Sequence, residues 1–346
     1  MARNKYQRWK RERSLTGGGQ GDVFLVTDTQ DEYEGVWVQK LLKNKSRISR
    51  FAREIKAGLE LSHPNVIKVI DYDLEADRPY FIAEYCTGGS LGDFELSKLS
   101  VVDRLRLFAA ICRGIGHAHS QQPVIIHRDI KPDNTFLRED STPVVGDFGI
   151  CFIDEEGERL TLVDEAVGPR NFIAPELEDG RTDDIGPWSD VYSLGKLLYW
   201  MMAGQIFSRE KHREAKYKLT NGRTDAAIFF IYELLDQMIV NEPAKRLKEA
   251  KVVAEEIERA IRRIQMNAHP VDLTAPQLCN YCGIGLYQMR QASDDYERFI
   301  PAGCWWNTGM VVEGTKSYFI LVCDHCGNVQ MFRPDQTRNP NVWAKK

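Results

Sequence analysis

The sequence predicts an α+β protein with a strand-rich N-terminal part, a helix-rich middle and a small β module at the C-terminal end. Residues 6–45 combine short β-branched or aromatic runs with a glycine-rich turn, which is typical of strands and hairpins. Apolar residues at helical spacing dominate the longest segments between residues 100 and 266. After residue 277 the chain changes to short aromatic and β-branched runs that carry two cysteine pairs.

Composition indicates a soluble globular protein. The chain has 346 residues, 43% hydrophobic and 28% charged, which is enough for one large or two ordinary domains. The net charge of −4 argues against a dedicated nucleic-acid or membrane binder. No apolar run approaches the ~18–20 residues that cross a bilayer, and the basic segment Met1–Arg13 is not followed by an apolar stretch. We therefore expect a cytoplasmic protein without a membrane contact.

One polar stretch, Val124–Asn134, organises the rest of the chain. It reads V-I-I-H-R-D-I-K-P-D-N, so a β-branched run ends at His127 and polar groups follow at fixed spacing. Aspartate, asparagine and proline are also ordinary turn residues, and this match alone would fit a charged surface loop. Partner motifs in the required order argue against that alternative: D-F-G at Asp147, A-P-E at Ala174 and S-D-V-Y-S-L-G at Ser189.

Together these motifs resemble those of a Ser/Thr protein kinase, in a prokaryotic-type variant. The resemblance implies a bilobal kinase domain over residues 1–266, with an N-lobe at about 6–86 and a C-lobe at about 87–266. Residues 267–277, which contain two prolines, are predicted to form a linker. The remainder, 278–346, is predicted to be a zinc-ribbon-like domain.

The resemblance assigns catalytic roles to four residues. Asp129 would accept the proton of the substrate hydroxyl, and Lys131 would neutralise charge on the transferred phosphoryl group. Asn134 and Asp147 would hold Mg²⁺ against the phosphates of ATP. A carboxylate pair, an amide and a lysine around Mg-ATP supply the positioning and charge neutralisation that phosphoryl transfer requires.

The nucleotide site is predicted from three further stretches. In Thr16–Val23 the second and third glycines of G-x-G-x-x-G-x-V are present, whereas Thr16 replaces the first. A strand-end lysine and a helical glutamate would form the ion pair that holds the α- and β-phosphates, with Glu60 as the only rival for the glutamate. The segment Tyr80–Cys86 resembles the connection between the lobes. The residues assigned to nucleotide binding are Gly18, Gly19, Gly21, Val23, Lys40, Glu54, Ala83, Glu84 and Cys86.

The resemblance has one clear departure, in the predicted activation loop Ile150–Ile173. The family usually carries a threonine that contacts the catalytic aspartate and lysine, and this chain has Pro169 there. Thr161 is a candidate autophosphorylation site, with Arg128 as its counter-charge. An exposed, unmodified threonine is an equal alternative at this position.

Scaffold roles follow from the same resemblance. Asp190 would brace the catalytic loop, Arg246 would pair with Glu176, and Ser189 would cap its helix. Amphipathic helices are expected at Ser46–Leu61, Val101–Ser120 and about Glu249–Met266. In the first of them the inward face should comprise Ile48, Phe51, Ile55 and Leu59.

The C-terminal cysteines predict a metal site. Two C-x-x-C-G stretches supply Cys279, Cys282, Cys323 and Cys326, which suit tetrahedral Zn²⁺. Disulfides are disfavoured by the expected reducing compartment, and a redox pair by the absence of a βαβ pattern. The gap between the pairs exceeds that of compact ribbons, so extra strands or a loop are expected in Gln288–Met310.

The functional prediction is an active Ser/Thr protein kinase that uses ATP, Mg²⁺ and protein substrates, with the zinc module as a docking element. Two alternatives stay open. The chain could be a pseudokinase scaffold, which Thr16 and Pro169 favour, or the zinc module could recognise nucleic acid under control of the kinase. From Val271 to the end the basic and acidic residues balance, which places protein docking ahead of nucleic-acid binding.

Overall fold

The computed structural model describes residues 8–15, 21–148, 171–219 and 226–267, and from 271 onward the strands and turns named below. The chain forms two compact units, Met1–Arg223 with Ile231–Ile257, and Thr224–Phe230 with Glu258–Lys346. Among the described residues, no helix combines the length and the apolar content that crossing a bilayer would demand.

An antiparallel five-stranded sheet opens the first unit, in the order β1-β2-β3-β5-β4. A helix, α1, connects the third and fourth strands along the chain. The predicted strand-rich N-terminal part is therefore confirmed. The elements are β1 (Trp9–Leu15), β2 (Gly21–Asp28), β3 (Trp37–Leu42), α1 (Ile48–Glu60), β4 (Val69–Asp73) and β5 (Tyr80–Glu84).

The sheet is buried on both faces, because successive side chains of a strand point to opposite sides. Leu41 and Ile82 pack on one face with Trp9 and its aromatic neighbours. Their chain neighbours Leu42 and Ala83 pack on the other face, against α1. The α1 face carries the predicted lysine and glutamate, so the core that holds α1 on the sheet also positions the site.

The inward face of α1 was predicted correctly except at its last position. Phe51 and Ile55 are buried in the core, whereas Leu59 is 46% exposed. The prediction of Leu59 as a core residue is wrong, because Ala57 and Gly58 form the buried contact at that end of the helix. A Cβ at Gly58 would lie 2.3 Å from Cγ2 of Val69, so β4 approaches too closely for a larger residue there.

Helices and one small hairpin follow the sheet along the chain, and each of the last two helices is divided between the two units. Helix α2 packs against α4 and against β7 of the hairpin. Twelve of the 17 residues of α4 are buried, and they include the polar Ser189, Asp190, Ser193 and Lys196. The elements are α2 (Val101–His119), β6 (Thr135–Leu137), β7 (Pro143–Val145), α3 (Pro175–Glu178), α4 (Pro187–Ala203), α5 (Ala226–Met238) and α6 (Ala250–Asn267).

Ser189 is not the N-cap of α4, and that prediction is wrong. The helix begins at Pro187, which suits the first helical position because proline lacks an N–H, and Gly186 is the cap residue. Ser189 lies in the first turn, where its hydroxyl donates to Oε1 of Glu176 over 2.7 Å. The same hydroxyl accepts the N–H of Gly186 over 3.3 Å, so Ser189 both stabilises the start of α4 and connects α4 to α3.

The C-terminal part contains a six-stranded antiparallel sheet centred on β13. The predicted strand Ser317–Val322 is confirmed within β13, and β11 and β12 are the extra strands expected between the cysteine pairs. The two-residue strand β8 lies inside the predicted linker. The elements are β8 (Val271–Asp272), β9 (Gln277–Leu278), β10 (Leu286–Met289), β11 (Trp305–Asn307), β12 (Met310–Glu313), β13 (Lys316–Cys323), β14 (Val329–Phe332) and β15 (Thr337–Arg338).

The strand register brings two hairpin connections to one end of this sheet. Leu278 pairs with Leu286, so residues 279–285 connect β9 and β10. Val322 pairs with Val329, so Cys323 ends β13 and Cys326 lies in the connection to β14. Tyr287 pairs with Cys323, which puts the start of β10 beside the end of β13. Both connections therefore leave the sheet at the same end of the strands.

Candidate active site

An ion-pair cluster connects β3, α1 and the D-F-G motif. Lys40 Nζ lies 2.6 Å from Oε1 of Glu54 and 3.3 Å from Oδ1 of Asp147. The three side chains are far apart in sequence and each is largely buried. The rival Glu60 lies on the exposed side of α1, near Lys56. The predicted pairing of Lys40 with Glu54 is thus confirmed.

Burial and charge oppose each other in this cluster. Burial lowers the pKa of Lys40, but the charges of Glu54 and Asp147 outweigh it and the pKa is raised overall. Burial raises the pKa of Glu54 to about 7, although Lys40 acts in the opposite direction. Burial also disfavours ionised Asp147, yet the Lys40 charge lowers its pKa. Lys40 and Asp147 therefore stay charged near neutral pH, and Glu54 is the group that accepts a proton first.

The catalytic-loop residues form a second cluster. Lys131 Nζ lies 2.9 Å and 3.1 Å from the two carboxylate oxygens of Asp129. Asn134 Nδ2 donates to Oδ2 of Asp129 over 2.9 Å and to its backbone carbonyl over 2.8 Å. Since the amide nitrogen is directed at Asp129, the amide oxygen of Asn134 is directed away from it.

A buried histidine joins the two clusters. His127 Nδ1 accepts from the backbone N–H of Asp129, so its Nε2 carries the proton and donates to the carbonyl of Gly146 over 2.9 Å. The N–H of Gly146 in turn donates to the carbonyl of Asn134. His127 also packs against the ring of Phe148, with 4.6 Å between centroids and 51° between the ring planes. These contacts hold the catalytic loop against the D-F-G backbone.

Two residues at this junction adopt left-handed backbone conformations. Arg128 has φ of 66° and Asp147 has φ of 61°. Such conformations cost of order 1–3 kcal/mol in residues other than glycine, and they cluster at functional sites. The Arg128 backbone N–H donates to Asp190 in this conformation, and the Asp147 carboxylate contacts Lys40.

Asp190 of α4 holds the catalytic loop through hydrogen bonds to its backbone. Its carboxylate accepts the backbone N–H groups of His127 and Arg128 over 2.7 Å and 2.8 Å. It also accepts Nε2–H of His119 over 2.9 Å, and that histidine accepts the N–H of Ala250 on its other nitrogen. The predicted bracing role of Asp190 is confirmed, and His119 is an additional member that the sequence did not indicate.

The connection between sheet and helices contains the predicted hinge residues. Ala83 is buried at the end of β5, and the backbone N–H of Glu84 donates to the carbonyl of Lys68. Burial raises the pKa of the Cys86 thiol to about 12, which agrees with its interpretation as a small apolar filler. The Glu84 carboxylate is held by Arg138, through Nε over 2.9 Å and Nη2 over 3.0 Å.

Several predicted residues cannot be placed. Gly18, Gly19, Thr161, Pro169 and Cys279 lie outside the described residues. Gly21 and Val23 lie on β2, where Val23 pairs with Lys40 of β3.

The donor set of the two clusters fits a magnesium nucleotide. Asp147 and Asn134 offer carboxylate and amide oxygens, which Mg²⁺ prefers as protein ligands. Lys40 adds a fixed positive charge for phosphate oxygens. The two candidate magnesium ligands are held near each other because the N–H of Gly146, the residue before Asp147, donates to the carbonyl of Asn134.

Comparison with known proteins gives the family. The protein kinase domain family matches residues 9–276. A probable serine/threonine-protein kinase of Dictyostelium discoideum is 28% identical over 55% of this chain and 19% of its own length. Wall-associated receptor kinases 3 and 2 of Arabidopsis thaliana are 28% and 30% identical, each over 71% of this chain and 34% of its own length.

The chain therefore spans about a fifth to a third of the length of these relatives. Their names, together with the family match, support the prediction of a protein serine/threonine kinase. The chain belongs to the protein kinase domain family.

Proposed function

We propose that this chain transfers the γ-phosphate of Mg-ATP to serine or threonine hydroxyls of protein substrates. The observation that carries the proposal is the joining of two clusters: Lys40 with Glu54 and Asp147, and Asp129 with Lys131 and Asn134. His127 connects them through Gly146 over 2.9 Å. Phosphoryl transfer needs little covalent work from the protein, so such an arrangement of charges is the main requirement.

Each residue has a distinct role in this proposal. Lys40, positioned by Glu54, binds phosphate oxygens, while Asp147 and Asn134 hold Mg²⁺. Mg²⁺ supplies charge neutralisation for the phosphates. Asp129 accepts the hydroxyl proton, and Lys131, within 3.1 Å of both carboxylate oxygens, neutralises charge on the transferred phosphoryl group.

The direct test is transfer of labelled γ-phosphate to the chain itself and to a generic protein substrate, with and without Mg²⁺. A pseudokinase scaffold would bind nucleotide and give no metal-dependent label on serine or threonine. Mass spectrometry of the same reaction would show whether Thr161 is phosphorylated, as proposed for autophosphorylation with Arg128 as the counter-charge. That the chain is a prokaryotic-type variant stays a prediction.

Ala83 predicts an unusually tolerant adenine pocket. It is buried at the end of β5 and carries the smallest side chain with a Cβ, so ATP analogues with a bulky N6 substituent should bind as well as ATP. In Ala83→Met the same analogues should lose roughly tenfold or more in affinity, because overpacking costs about 1–3 kcal/mol. Competitive displacement of a fluorescent nucleotide measures both. Equal exclusion of the analogues from both proteins would contradict the prediction.

We also propose that the C-terminal part is a zinc module. Cys279, Cys282 and Cys326 fall in two connections between strands, whereas Cys323 ends β13. The pairing of Cys323 with Tyr287, at the start of β10, supports the approach of the four cysteines to one another. In the part of the chain that the structure describes, no group of three or more His, Cys, Asp or Glu side chains forms a metal cluster. Cys279 lies outside that part, and only the backbone of Cys323 is described.

Zinc content gives a measurable prediction for this module. Protein purified without chelator should contain about one zinc per chain, and the double variant Cys282→Ser/Cys326→Ser should contain none. The buried Cys86→Ser/Cys112→Ser is the matched control, and it should retain the metal. Stoichiometric zinc in the first variant would refute the assignment of these ligands.

The role proposed for the module is docking of a protein partner or substrate. Its balanced charge supports protein docking over nucleic-acid recognition, which requires a basic excess. Removal of zinc should then weaken phosphorylation of a docked substrate and leave transfer to a short peptide unchanged.

A further inference from the structure

A short basic segment, Arg209–Lys218, follows helix α4 and has no role in the site described above. It contains five cationic residues and two glutamates in a chain whose net charge is −4. A run of this kind is often only a solvated face, and its significance depends on whether the fold holds it in one conformation. The cationic residues are Arg209, Lys211, Arg213, Lys216 and Lys218.

A buried lysine anchors the start of the basic segment. Lys196 of α4 is fully buried, and its Nζ donates to the backbone carbonyls of Phe207 over 2.5 Å and Arg209 over 3.0 Å. Nζ also lies 3.6 Å from the centroid of the Phe207 ring. Burial lowers the pKa of Lys196 to about 7, which shows how strongly this site is desolvated. Burying a lysine costs stability unless its ammonium group is hydrogen-bonded, and here it donates to two carbonyls.

Further contacts fix the remainder of the segment, which contains two single turns of 3-10 helix, Lys211–Arg213 and Ala215–Tyr217. His212 is buried and its Nε2 lies 2.9 Å from Oδ1 of Asp236 on α5. Arg213 pairs with the same carboxylate and lies over the ring of Tyr232. Tyr199 of α4 donates its hydroxyl to the carbonyl of Tyr217 over 2.8 Å. The backbone is therefore held from α4 and α5 along its whole length.

Arg209 attaches the segment to α3. Its φ of 52° is left-handed, a strained value for arginine that the bond from Lys196 to its carbonyl supports. In this conformation its guanidinium lies 3.1 Å from both Glu178 and Asp179. Helix α3 begins at Pro175, directly after the stretch that the family resemblance assigns to the end of the activation loop. The basic segment is thus adjacent to α3 and to the end of the predicted activation loop.

The same helix supports both the catalytic loop and the basic segment. Asp190 holds that loop and Lys196 holds the basic segment, six residues later on α4. At ~1.5 Å per helical residue the two anchors are about 9 Å apart along the axis. One rigid helix therefore fixes the position of the basic segment relative to the catalytic loop.

Three lysines of the segment are available for a partner. Lys211, Lys216 and Lys218 are exposed, and within the described part of the chain no carboxylate forms an ion pair with them. Arg209 and Arg213 are engaged by acidic groups of the fold. Of the two glutamates, Glu210 accepts the hydroxyl of Tyr192, and Glu214 is exposed. The surface presented to solvent is therefore cationic.

We propose that Lys211, Lys216 and Lys218 form a recognition surface for an acidic stretch of the protein substrate. This inference rests on the proposed function and adds the class of substrate: a polypeptide with several Asp, Glu or phosphorylated residues near the target hydroxyl. An acidic polypeptide is favoured over nucleic acid because the surface is small, is interrupted by Glu214 and belongs to an acidic chain.

Binding of three labelled probes to the full chain, measured by fluorescence anisotropy at low salt, tests the proposal. The probes are a twelve-residue peptide with one serine among glutamates, its glutamine counterpart, and a single-stranded twelve-nucleotide DNA. The glutamate peptide should bind most tightly, and Lys211→Glu/Lys216→Glu/Lys218→Glu should weaken its binding about tenfold, from three exposed charge pairs. Added salt should reduce the difference.

A matched control carries the same change in charge elsewhere. The variant Lys10→Glu/Lys98→Glu/Lys245→Glu replaces three exposed lysines outside the segment and should bind the glutamate peptide like wild type. Equal loss in both variants would show a general charge effect and overturn the proposal. Unchanged binding of the glutamate peptide in the first variant would also overturn it. The proposal would likewise fail if the DNA bound more tightly than the glutamate peptide and the first variant abolished that DNA binding.

Phosphorylation of the two peptides separates this inference from the proposed function. If the inference is correct, the first variant raises KM for the glutamate peptide about tenfold and leaves kcat and the KM for ATP unchanged. Transfer that occurs equally in wild type and variant would overturn the inference alone. Selective binding without any transfer would overturn the proposed function and leave the recognition surface intact.

Discussion

Asp129→Asn is expected to reduce γ-phosphate transfer by roughly 10²–10⁴-fold, the usual contribution of a general base. The substitution keeps one side-chain oxygen that can still accept from Lys131 and Asn134, so the loop geometry should survive. What is lost is the negative charge that takes up the hydroxyl proton. Single-turnover transfer with saturating Mg-ATP measures the effect on chemistry alone.

Nucleotide binding supplies the control for this variant. Lys40, Glu54 and Asp147 are untouched by Asp129→Asn, so the affinity for Mg-ADP should stay within about twofold of wild type. Asp147→Asn should behave in the opposite way and weaken magnesium-dependent nucleotide binding. Transfer by Asp129→Asn at the wild-type rate would mean that another residue is the base.

Arg246→Met should destabilise the first unit by ~3–5 kcal/mol, because it leaves a buried carboxylate without its partner. Arg246 donates to both oxygens of Glu176 over 2.7 Å and 2.8 Å, and neither side chain is exposed. In a unit of this size about 1 kcal/mol corresponds to roughly 2–4 °C in Tm, so a fall of roughly 6–20 °C is expected by calorimetry.

The double variant Arg246→Met/Glu176→Leu distinguishes the cause of that loss. If the unpaired charge dominates, removing Glu176 as well should recover part of the stability. Arg246 also donates to the carbonyls of Val240, Asn241 and Trp188, and those bonds are absent in both variants. A double variant as unstable as the single one would show that these carbonyl contacts, and not the ion pair, account for the stability that Arg246 contributes.

The sequence predicted the contacts that depend on family motifs and missed those that depend only on packing. Lys40, Glu54 and Asp147 were placed together because their motifs occur in order, and the structure unites them. Leu59 and Ser189 were assigned from local pattern alone. Local pattern does not reveal that Gly58 brings β4 close to α1, or that Ser189 is drawn to Glu176.

Lys196 and Arg138 make contacts that the sequence analysis did not predict. Lys196 interrupts the apolar run S-L-G-K-L-L-Y-W, and a charge inside a helix that is otherwise buried could have indicated a special role. For Arg138 no such signal exists, since a charged residue after a short strand is ordinary. Its partner Glu84 is 54 residues away, and only the fold brings the two together.

The Arg138 contact has a consequence for motion between the sheet and the helices. Its guanidinium grips the Glu84 carboxylate with two nitrogens and the carbonyl of Pro64 with a third, 2.6 Å away. The hairpin that carries Arg138 also bonds the stretch after Pro64, because the backbone of Val145 is hydrogen-bonded to Asn65 and Ile67. A movement of β5 away from this hairpin must therefore break both bonds from Arg138 to the Glu84 carboxylate, so the fork opposes opening between the sheet and the helices.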